Sequence, residues 1–588
     1  MPFGAELRAD GTVRFRLWAP AAEVVRLELP SRQEIFTMRP LGRGWHELVT
    51  AAEAGDAYRF VLPDGSRVAD PASRCQAHGV DGPSVVVDRS SYRWRHESWR
   101  GRPWHEAVVY ELHVGTFTPA GTFAGAAERL PYLSQLGVTA IELMPIAHFP
   151  GKWNWGYDGV LPFASDPTYG TPDELKALVD AAHGYGLMVF LDVVYNHLGP
   201  AENRLGRYAP EFFTADFRTP WGEAIDFRRA EVRAFYIANA LYWLEEFRFD
   251  GLRFDAVHAI VDPSETHFLV ELARTVRTTV GREVHLVLEN DQNRASFLRY
   301  DPELGRRQFD AQWNDDLHHT MHALLTGEQH GYYADYADAP VARVRRALTE
   351  GFVYQGEPAA YGGGRPRGEP SGDLPPLAFT SFLQNHDQIG NRALGERLSL
   401  LAPPEAVQAC QAIVLLSPQV PLLFMGEEWA ARTPFLFFCD FQGDLAQAVR
   451  DGRRHEFAAF FDQVEEIPDP LDEATFVQSR LNWLELDQSE HAAWLARTRW
   501  LLRLRAQQIA PRLTDDVRVA HSRALGSRGL LVSWRLSDGS RLTLLANLGD
   551  VSIASPGMPP GNLLHSTHAD LTGNLPPWSV AWILSELG

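Results

Sequence analysis

The amino-acid sequence predicts a multidomain protein built on a (β/α)8 TIM barrel, flanked by an N-terminal β-sandwich and a C-terminal antiparallel β domain. Three observations support this. At 588 residues the chain is too long for one hydrophobic core. Through its middle, short apolar runs alternate with amphipathic helical stretches, which is typical of βα units around a parallel sheet. At both ends, apolar residues instead fall at every second position, the pattern of half-buried strands.

The N-terminal segment, residues 1–98, predicts a small immunoglobulin-like β-sandwich. Three runs alternate in period 2, at 12–18, 24–29 and 58–62, and Pro63-Asp-Gly supplies a turn signal directly after the third. The polar stretch 90–103 is interpreted as the connection to the next domain.

The central segment, residues 99–512, predicts the barrel. Helical stretches lie at 172–185, preceded by Thr171 as N-cap, at 229–247 and at 492–505, the last after a long insertion. Eight repeats favour a closed barrel, whose site is expected at the carboxyl ends of the strands. The predicted strands are 108–114, 138–144, 187–193, 251–255, 285–289, 309–313, 378–383 and 420–425.

The C-terminal segment, residues 513–588, returns to period 2. The runs 529–535 and 541–547 are separated by a Ser-Asp-Gly-Ser turn. They predict a second antiparallel β domain.

Composition narrows the function classes. A formal net charge of −20 argues against nucleic acid or an anionic membrane as partner. No stretch reaches the ~18 apolar residues of a membrane helix, and the first residues lack the features of a secretory signal. Three scattered cysteines suit a reducing compartment. We expect a cytoplasmic protein, either a monomer or a homodimer.

Three acidic residues stand at predicted strand ends. Asp255 ends the fourth strand, Glu289 ends the fifth, and Asp387 follows the seventh. Hydrolysis of a glycoside needs two carboxyl groups flanking the scissile bond, and the strand ends of a barrel converge on one mouth. A helix cap or salt bridge would explain one such residue, but the trio predicts a glycosidase site.

Polar residues near these ends are candidates for substrate binding. Arg253 shares a strand face with Asp255, so its guanidinium can hold that carboxylate ionised, although a buried structural ion pair would look the same. His197 follows the third strand, and His386 precedes Asp387. Beside the carboxylates, both histidines are interpreted as sugar-binding residues.

Aromatic residues cluster in the Gly-flanked loop 152–158, which contains Trp153, Trp155 and Tyr157. A core cluster would normally lie on a periodic element, so this loop is interpreted as a ligand platform over the mouth. Packing in a large core is the alternative, also for the high count of 17 tryptophans.

No metal or cofactor is predicted. Asp316, His318 and His319 lie close in sequence after the sixth strand, but adjacent side chains rarely point at one centre. They are interpreted as substrate contacts, with Trp313 as a stacking face. The sequence contains no phosphate-binding loop and no strand–GxGxxG–helix unit, so we expect no nucleotide cofactor.

Four ordered segments, 192–197, 251–255, 288–290 and 382–387, resemble the strand-end motifs of the α-amylase family. The resemblance covers the barrel, and the N-terminal segment is similar to the sandwich of branching and debranching members. It implies that Asp255 is the nucleophile, Glu289 the general acid/base and Asp387 the transition-state stabiliser. It further implies that the subsite of the attacked glucose is lined by Tyr157, His197, Arg253 and His386.

Two further stretches, 147–159 and 310–328, resemble the family members that act on maltooligosyl trehalose. Those members cut the α-1,4 bond next to the terminal trehalose, so related α-glucans are the expected ligands. A branching or debranching enzyme acting on α-1,6 bonds is the first alternative. A barrel that only binds glucan is the second, and the three intact carboxylates disfavour it.

Overall fold

Eight parallel strands close into a barrel in the computed structural model, which describes residues 2–219, 222–457 and 467–586. Every strand lies within its predicted segment, and neighbours in sequence are neighbours in the sheet. The predicted barrel is therefore confirmed. The strands are β1 Val109–Leu112, β2 Ala140–Leu143, β3 Met188–Val193, β4 Gly251–Phe254, β5 His285–Leu288, β6 Ala311–Trp313, β7 Phe379–Ser381 and β8 Val420–Phe424.

Helices follow most strands on the outside of the barrel. Thr171 begins one of them with a capping box, its hydroxyl accepting from Glu174 N while the Glu174 carboxylate accepts from Thr171 N. The long helices are Pro172–Gly184, Ala230–Leu241, Phe268–Thr279, Asp315–Thr326, Pro340–Glu350, Pro404–Leu416, Gly443–Phe457 and Ser489–Leu504. The shorter ones are Val114–Phe117, Phe123–Ala127, Leu130–Leu136, His386–Gly390, Leu398–Leu401 and Glu473–Gln478.

The expected alternation of strand and helix breaks once, between β5 and β6. Residues 289–310, all of them described, contain only the 3-10 turn Ala295–Leu298 and a hairpin of Tyr300–Asp301 with Arg306–Arg307. A hairpin therefore takes the place of the expected barrel helix in this segment.

The N-terminal part is a sandwich of two antiparallel sheets, as predicted. Alternate residues such as Phe15, Leu17, Leu27 and Phe60 are buried between the sheets. In spatial order, one sheet contains Glu6–Leu7, Thr12–Trp18, Trp45–Ala51 and Arg39–Gly42, and the other Glu34–Thr37, Arg26–Leu29, Ala57–Val61 and Arg67–Val68. Ser84–Val85 pairs with Ala57–Val61.

The C-terminal part is a five-stranded antiparallel sheet against the barrel helix Pro404–Leu416. Trp582 is fully buried there, and its indole N–H donates to the Ala412 carbonyl oxygen at 3.1 Å. In spatial order the strands are Arg518–Leu525, Gly529–Arg535, Arg541–Asn547, Ser579–Ser585 and Asn562–Ser566.

The remaining strands pair in four small two-stranded sheets. They pair Ala147–His148 with Leu161–Ser165, Phe213–Thr219 with Gly222–Ile225, Glu357–Ala359 with Arg365–Arg367, and Ile553–Ala554 with Asn574–Leu575. The boundaries 1–98, 99–512 and 513–588 remain our proposed domain division; residues 1, 220–221, 458–466 and 587–588 lie outside the described ranges. Within the described parts of the chain, every helix is too short or too polar to span a bilayer.

Candidate active site

The carboxyl ends of the barrel strands open into a cleft of about 670 Å³. Asp255 directly follows β4, Glu289 directly follows β5, and Asp387 lies on the short helix His386–Gly390 after β7. All three side chains line the cleft. The structure therefore brings together the acidic trio that the sequence singled out.

Arg253 links the carboxylates beneath the cleft. Its Nη1 donates to Asp192 Oδ2 at 2.7 Å and to Asp255 Oδ1 at 2.8 Å, and its Nη2 lies 3.2 Å from Glu289 Oε2. The guanidinium is buried and stacks over the ring of Trp313, 4.2 Å from its centroid. Its ion pairs are thus shielded from screening by water.

Asp255 accepts hydrogen bonds on both oxygens. Besides Arg253 on Oδ1, Asn196 Nδ2 donates to Oδ2 at 2.8 Å. These two donors hold the Asp255 carboxylate in one orientation at the cleft.

Glu289 has a different environment. Burial raises the pKa of its carboxyl, the Asp255 charge raises it further, and Arg253 opposes both. Its Oε2 accepts from the backbone N–H of Ala256 at 2.6 Å, at a residue held in the left-handed region with φ of +40°. A raised pKa favours the protonated form, which a general acid requires.

The expected subsite residues surround Asp255. The Tyr157 hydroxyl donates to Asp192 Oδ2 at 2.6 Å, and its ring stacks on His386 with centroids 5.1 Å apart. Burial disfavours charge on His386, but its ion pair with Glu111 raises the pKa overall. His197 Nε2 lies 3.0 Å from the Tyr157 carbonyl oxygen. Together with Arg253, these side chains line the cleft.

The aromatic loop divides between the cleft and the core. Trp155 lines the cleft, and its indole N–H donates to the Leu436 carbonyl oxygen at 2.9 Å. Trp153 instead stacks on Phe476 at 6.0 Å and is not among the lining residues. The expectation that Trp153 contacts substrate is therefore corrected, because its ring face is taken by another aromatic side chain.

Trp313 needs a similar correction. It borders the cleft but is only 1% exposed, and the face available for stacking is covered by the Arg253 guanidinium. Its role in the packing is to support Arg253, since no face is left for a sugar ring.

A second lobe of about 510 Å³ continues the cleft. Four residues line both lobes: Glu289, Asp315, Asp387 and Gln388. Asp255 lines only the first. The second lobe is further lined by Asp291, Gln292, His319, Tyr332, Asp335, Ala359, Tyr361, Gly362, Arg365, Pro366 and Arg367.

The residues after β6 form the helix Asp315–Thr326, where Asn314 is the N-cap. Residues i and i+4 share one helix face, and here Asp315 and His319 both line the second lobe. Burial lowers the pKa of His319, which favours the neutral imidazole, and within the described chain its Nδ1 is without a hydrogen-bond partner.

Asp316 and His318 point away from the cleft, so their expected substrate contacts are corrected. Asp316 is fully buried and accepts from Asn293 Nδ2 and from the backbone N–H groups of Val353 and Tyr354. His318 is 1% exposed, and burial lowers its pKa to about 3. Both side chains brace the segment behind the second lobe.

Two sets of cleft residues were missed by sequence reasoning. Asp315 was passed over for Asp316, although the N-cap signal of Asn314 starts a helix that puts 315 and 319 on one face. The insertion after β8 contributes an apolar wall, for which no motif gave a signal: Phe437, Phe441, Leu445 and Val449. In the described ranges, no group of three or more His, Cys, Asp or Glu is arranged to hold a metal ion.

The closed barrel with its strand-end carboxylates defines an enzyme of the α-amylase class. Two family models agree: the catalytic domain of alpha amylase matches residues 88–217, and carbohydrate-binding module 48 (isoamylase N-terminal domain) matches 2–73. A domain of unknown function matches residues 518–582.

Comparison with similar proteins identifies the family within this class. The malto-oligosyltrehalose trehalohydrolase of Deinococcus radiodurans is 45% identical over 84% of this chain and 81% of its own length. The enzyme of that name from Saccharolobus solfataricus is 41% identical over 82% of this chain and 84% of its own length. A crystal structure of a Salmonella typhimurium protein assigned as an alpha amylase superposes with a TM-score of 0.94, at 47% identity over 99% of both chains. The chain belongs to the malto-oligosyltrehalose trehalohydrolase family.

Proposed function

We propose that this protein is a retaining glycoside hydrolase that binds α-glucans, cuts the α-1,4 bond next to the terminal trehalose of maltooligosyl trehalose, and so releases trehalose. The observation that carries the chemistry is the binding of Asp255 and Glu289 to one guanidinium, Asp255 to Nη1 and Glu289 to Nη2 of Arg253. So short a link favours the carboxylate separation of retaining enzymes, about 5–5.5 Å. The substrate is inferred from the names of the similar enzymes.

Hydrolysis proceeds in two displacements in this proposal. Asp255 attacks the anomeric carbon while Glu289 gives its proton to the glycosidic oxygen, so the leaving sugar departs neutral and a glycosyl ester forms. Glu289, now ionised, takes a proton from water, which attacks the same carbon and releases Asp255. Asp387 lies across the same cleft, where its charge stabilises the positive charge that develops on the sugar ring.

The two lobes divide the substrate. The sugar that becomes bonded to Asp255 must occupy the lobe that contains Asp255. The leaving group must lie beside Glu289 and away from Asp255, which describes the second lobe. We therefore propose that trehalose binds against Asp315, His319 and the hairpin Glu357–Ala359/Arg365–Arg367, which line or border this lobe.

Product analysis tests the proposed reaction. Maltotriosyl trehalose should yield trehalose and maltotriose, and maltopentaose should be a poorer substrate. New α-1,6 branches, or cleavage restricted to α-1,6 bonds, would instead identify a branching or debranching enzyme. A cytoplasmic location and a monomeric or homodimeric state remain predictions from the sequence.

The reducing end released first should be the α-anomer. Each displacement inverts the anomeric carbon, and two inversions restore its configuration. Proton NMR in the first minutes of hydrolysis, before mutarotation mixes the anomers, measures this. An initial β-anomer would recast Asp255 as a base acting through water.

Replacement of Asp315 or His319 by alanine should reduce kcat/KM for maltotriosyl trehalose more than for maltopentaose. Trehalose and maltose present hydroxyls in different directions, and a polar group left unpaired in a closed site costs ~1–3 kcal/mol. The measured quantity is the ratio of kcat/KM for the two substrates. A ratio within about threefold of wild type would count against a role in recognition.

Asp316→Ala serves as the contrasting variant. Because Asp316 is buried behind the lobe and holds the turn at Val353 and Tyr354, its loss should lower Tm and reduce activity on both substrates alike. A selective loss in this variant, without loss of Tm, would return Asp316 to the substrate contacts.

A further inference from the structure

The turn that carries Asp387 is contacted by a residue from outside the barrel. Arg453 lies on the helix Gly443–Phe457, in the insertion after β8. Its Nη1 donates to Asn391 Oδ1 at 3.2 Å, and its Nη2 donates to the Gly390 carbonyl oxygen at 3.2 Å. Both acceptors are at the end of the short helix His386–Gly390.

The Asn391 side chain connects Arg453 to Asp387 through hydrogen bonds. Its Nδ2 donates to Asp387 Oδ1 at 2.6 Å. An asparagine amide has one accepting and one donating end, and its neighbours decide which way it turns. An arginine can only donate and a carboxylate can only accept, so Arg453 and Asp387 both favour the orientation in which the amide nitrogen faces the carboxylate.

Arg453 is itself held in place. Its guanidinium lies 5.1 Å from the ring centroid of Phe437 and 4.7 Å from that of Phe457, and its Nη1 pairs with Glu456 at 3.0 Å. With 15% of its side chain exposed, it has little freedom to reach other partners.

The backbone of the turn also packs against Trp155. A Cβ atom at Gly390 would lie 2.0 Å from the indole of Trp155, so the backbone rests directly on that ring. The turn is thus contacted by both Trp155 and Arg453, and the Asn391 amide donates to the Asp387 carboxylate.

We propose that Arg453 is a positioning residue for Asp387, acting through the side-chain amide of Asn391. The proposal rests on the proposed function, in which the Asp387 carboxylate faces the attacked sugar. A carboxylate exposed to an open cleft can adopt several rotamers, and a small displacement from the reacting centre is costly in rate. The hydrogen bond from Asn391 selects one rotamer.

The kinetic test separates this role from simple bracing. Asn391→Ala should lower kcat on maltotriosyl trehalose by roughly 10-fold to 100-fold, the effect of one hydrogen bond to a charged group. Arg453→Ala should lower kcat by about tenfold, with KM within about threefold, and Arg453→Lys should recover part of the loss. The double variant should be no slower than Asn391→Ala, because both act along one path.

Arg450→Ala is the matched control. Arg450 lies on the same helix and pairs with Asp469 at 2.7 Å, so its loss tests the helix without touching the Asp387 turn. Its kcat should equal that of wild type. Arg453→Ala with wild-type kcat, or a double variant whose effects multiply, would overturn the proposal.

Crystal structures of the variants test the proposal independently of the kinetics. In crystals of Arg453→Ala, the Asn391 amide should rotate away from Asp387, whereas in Arg450→Ala it should stay. An intact Nδ2–Oδ1 bond in Arg453→Ala would overturn the role of Arg453. A wild-type protein inactive on maltotriosyl trehalose would overturn the proposed function instead, and the two failures are therefore distinguishable.

Discussion

Replacing Asp255 by asparagine is expected to lower kcat by roughly 10⁴-fold or more on every α-glucan substrate, because the proposed mechanism makes Asp255 the covalent nucleophile. The amide keeps the shape of the carboxylate and can still accept from Arg253 Nη1, now at 2.8 Å from Oδ1. It lacks the charge needed to attack the anomeric carbon. Initial rates on maltotriosyl trehalose measure the loss.

Stability controls separate chemistry from folding. Asp255 lies at the open end of a packed barrel, so the Asp255→Asn variant should melt within a few degrees of wild type. Asp440→Asn removes a carboxylate that accepts from Lys152 N outside the cleft, and it should keep full activity. If Asp255→Asn retained more than about a tenth of wild-type kcat, another residue would have to be the nucleophile.

The barrel could be predicted because each of its strands corresponds to a short, local sequence pattern. Each of the eight is a short apolar run, and parallel strands of a closed barrel are buried on both faces. The missing helix between β5 and β6 could not be read in the same way. A polar, Arg-rich stretch such as 299–307 forms either a helix or a hairpin, and packing against its neighbours decides between them.

The acidic trio could be predicted to share one cleft because the carboxyl ends of barrel strands converge by topology. The substrate contacts could not be predicted, because the side chains of residues that are adjacent in sequence can point to different parts of the structure. Trp153 and Trp155 share one loop, but only Trp155 turns to the cleft. Asp315 and Asp316 are adjacent, but a helix directs them about 100° apart, so one faces the lobe and the other the interior.

Contacts between distant segments were beyond sequence reasoning altogether. Arg453 and Asn391 are 62 positions apart, and neither lies in a motif. Only the path of the insertion after β8 brings them together. The apolar wall from Phe437 to Val449 was hidden for the same reason.

The Glu289→Gln variant is expected to lose an amount of activity that depends on the leaving group of the substrate. A sugar leaves poorly as an alkoxide, so without a general acid kcat should fall about 10²–10⁴-fold on maltotriosyl trehalose. A nitrophenyl α-maltooligoside releases a phenolate that needs no proton, and formation of its glycosyl ester should fall far less. The glutamine oxygen can still accept from Ala256 N, which keeps the loop in place.

The pH profile provides the second signature of Glu289. A general acid must be protonated in the free enzyme, so kcat/KM is lost as pH rises through its pKa. Burial raises that pKa above the ordinary glutamate range, which moves the alkaline limb of the wild-type profile to higher pH. Glutamine does not titrate, so the limb should be absent in Glu289→Gln. A variant that kept the limb, or lost equal activity on both leaving groups, would show that the proton comes from elsewhere, with Asp315 as the next carboxyl in the cleft.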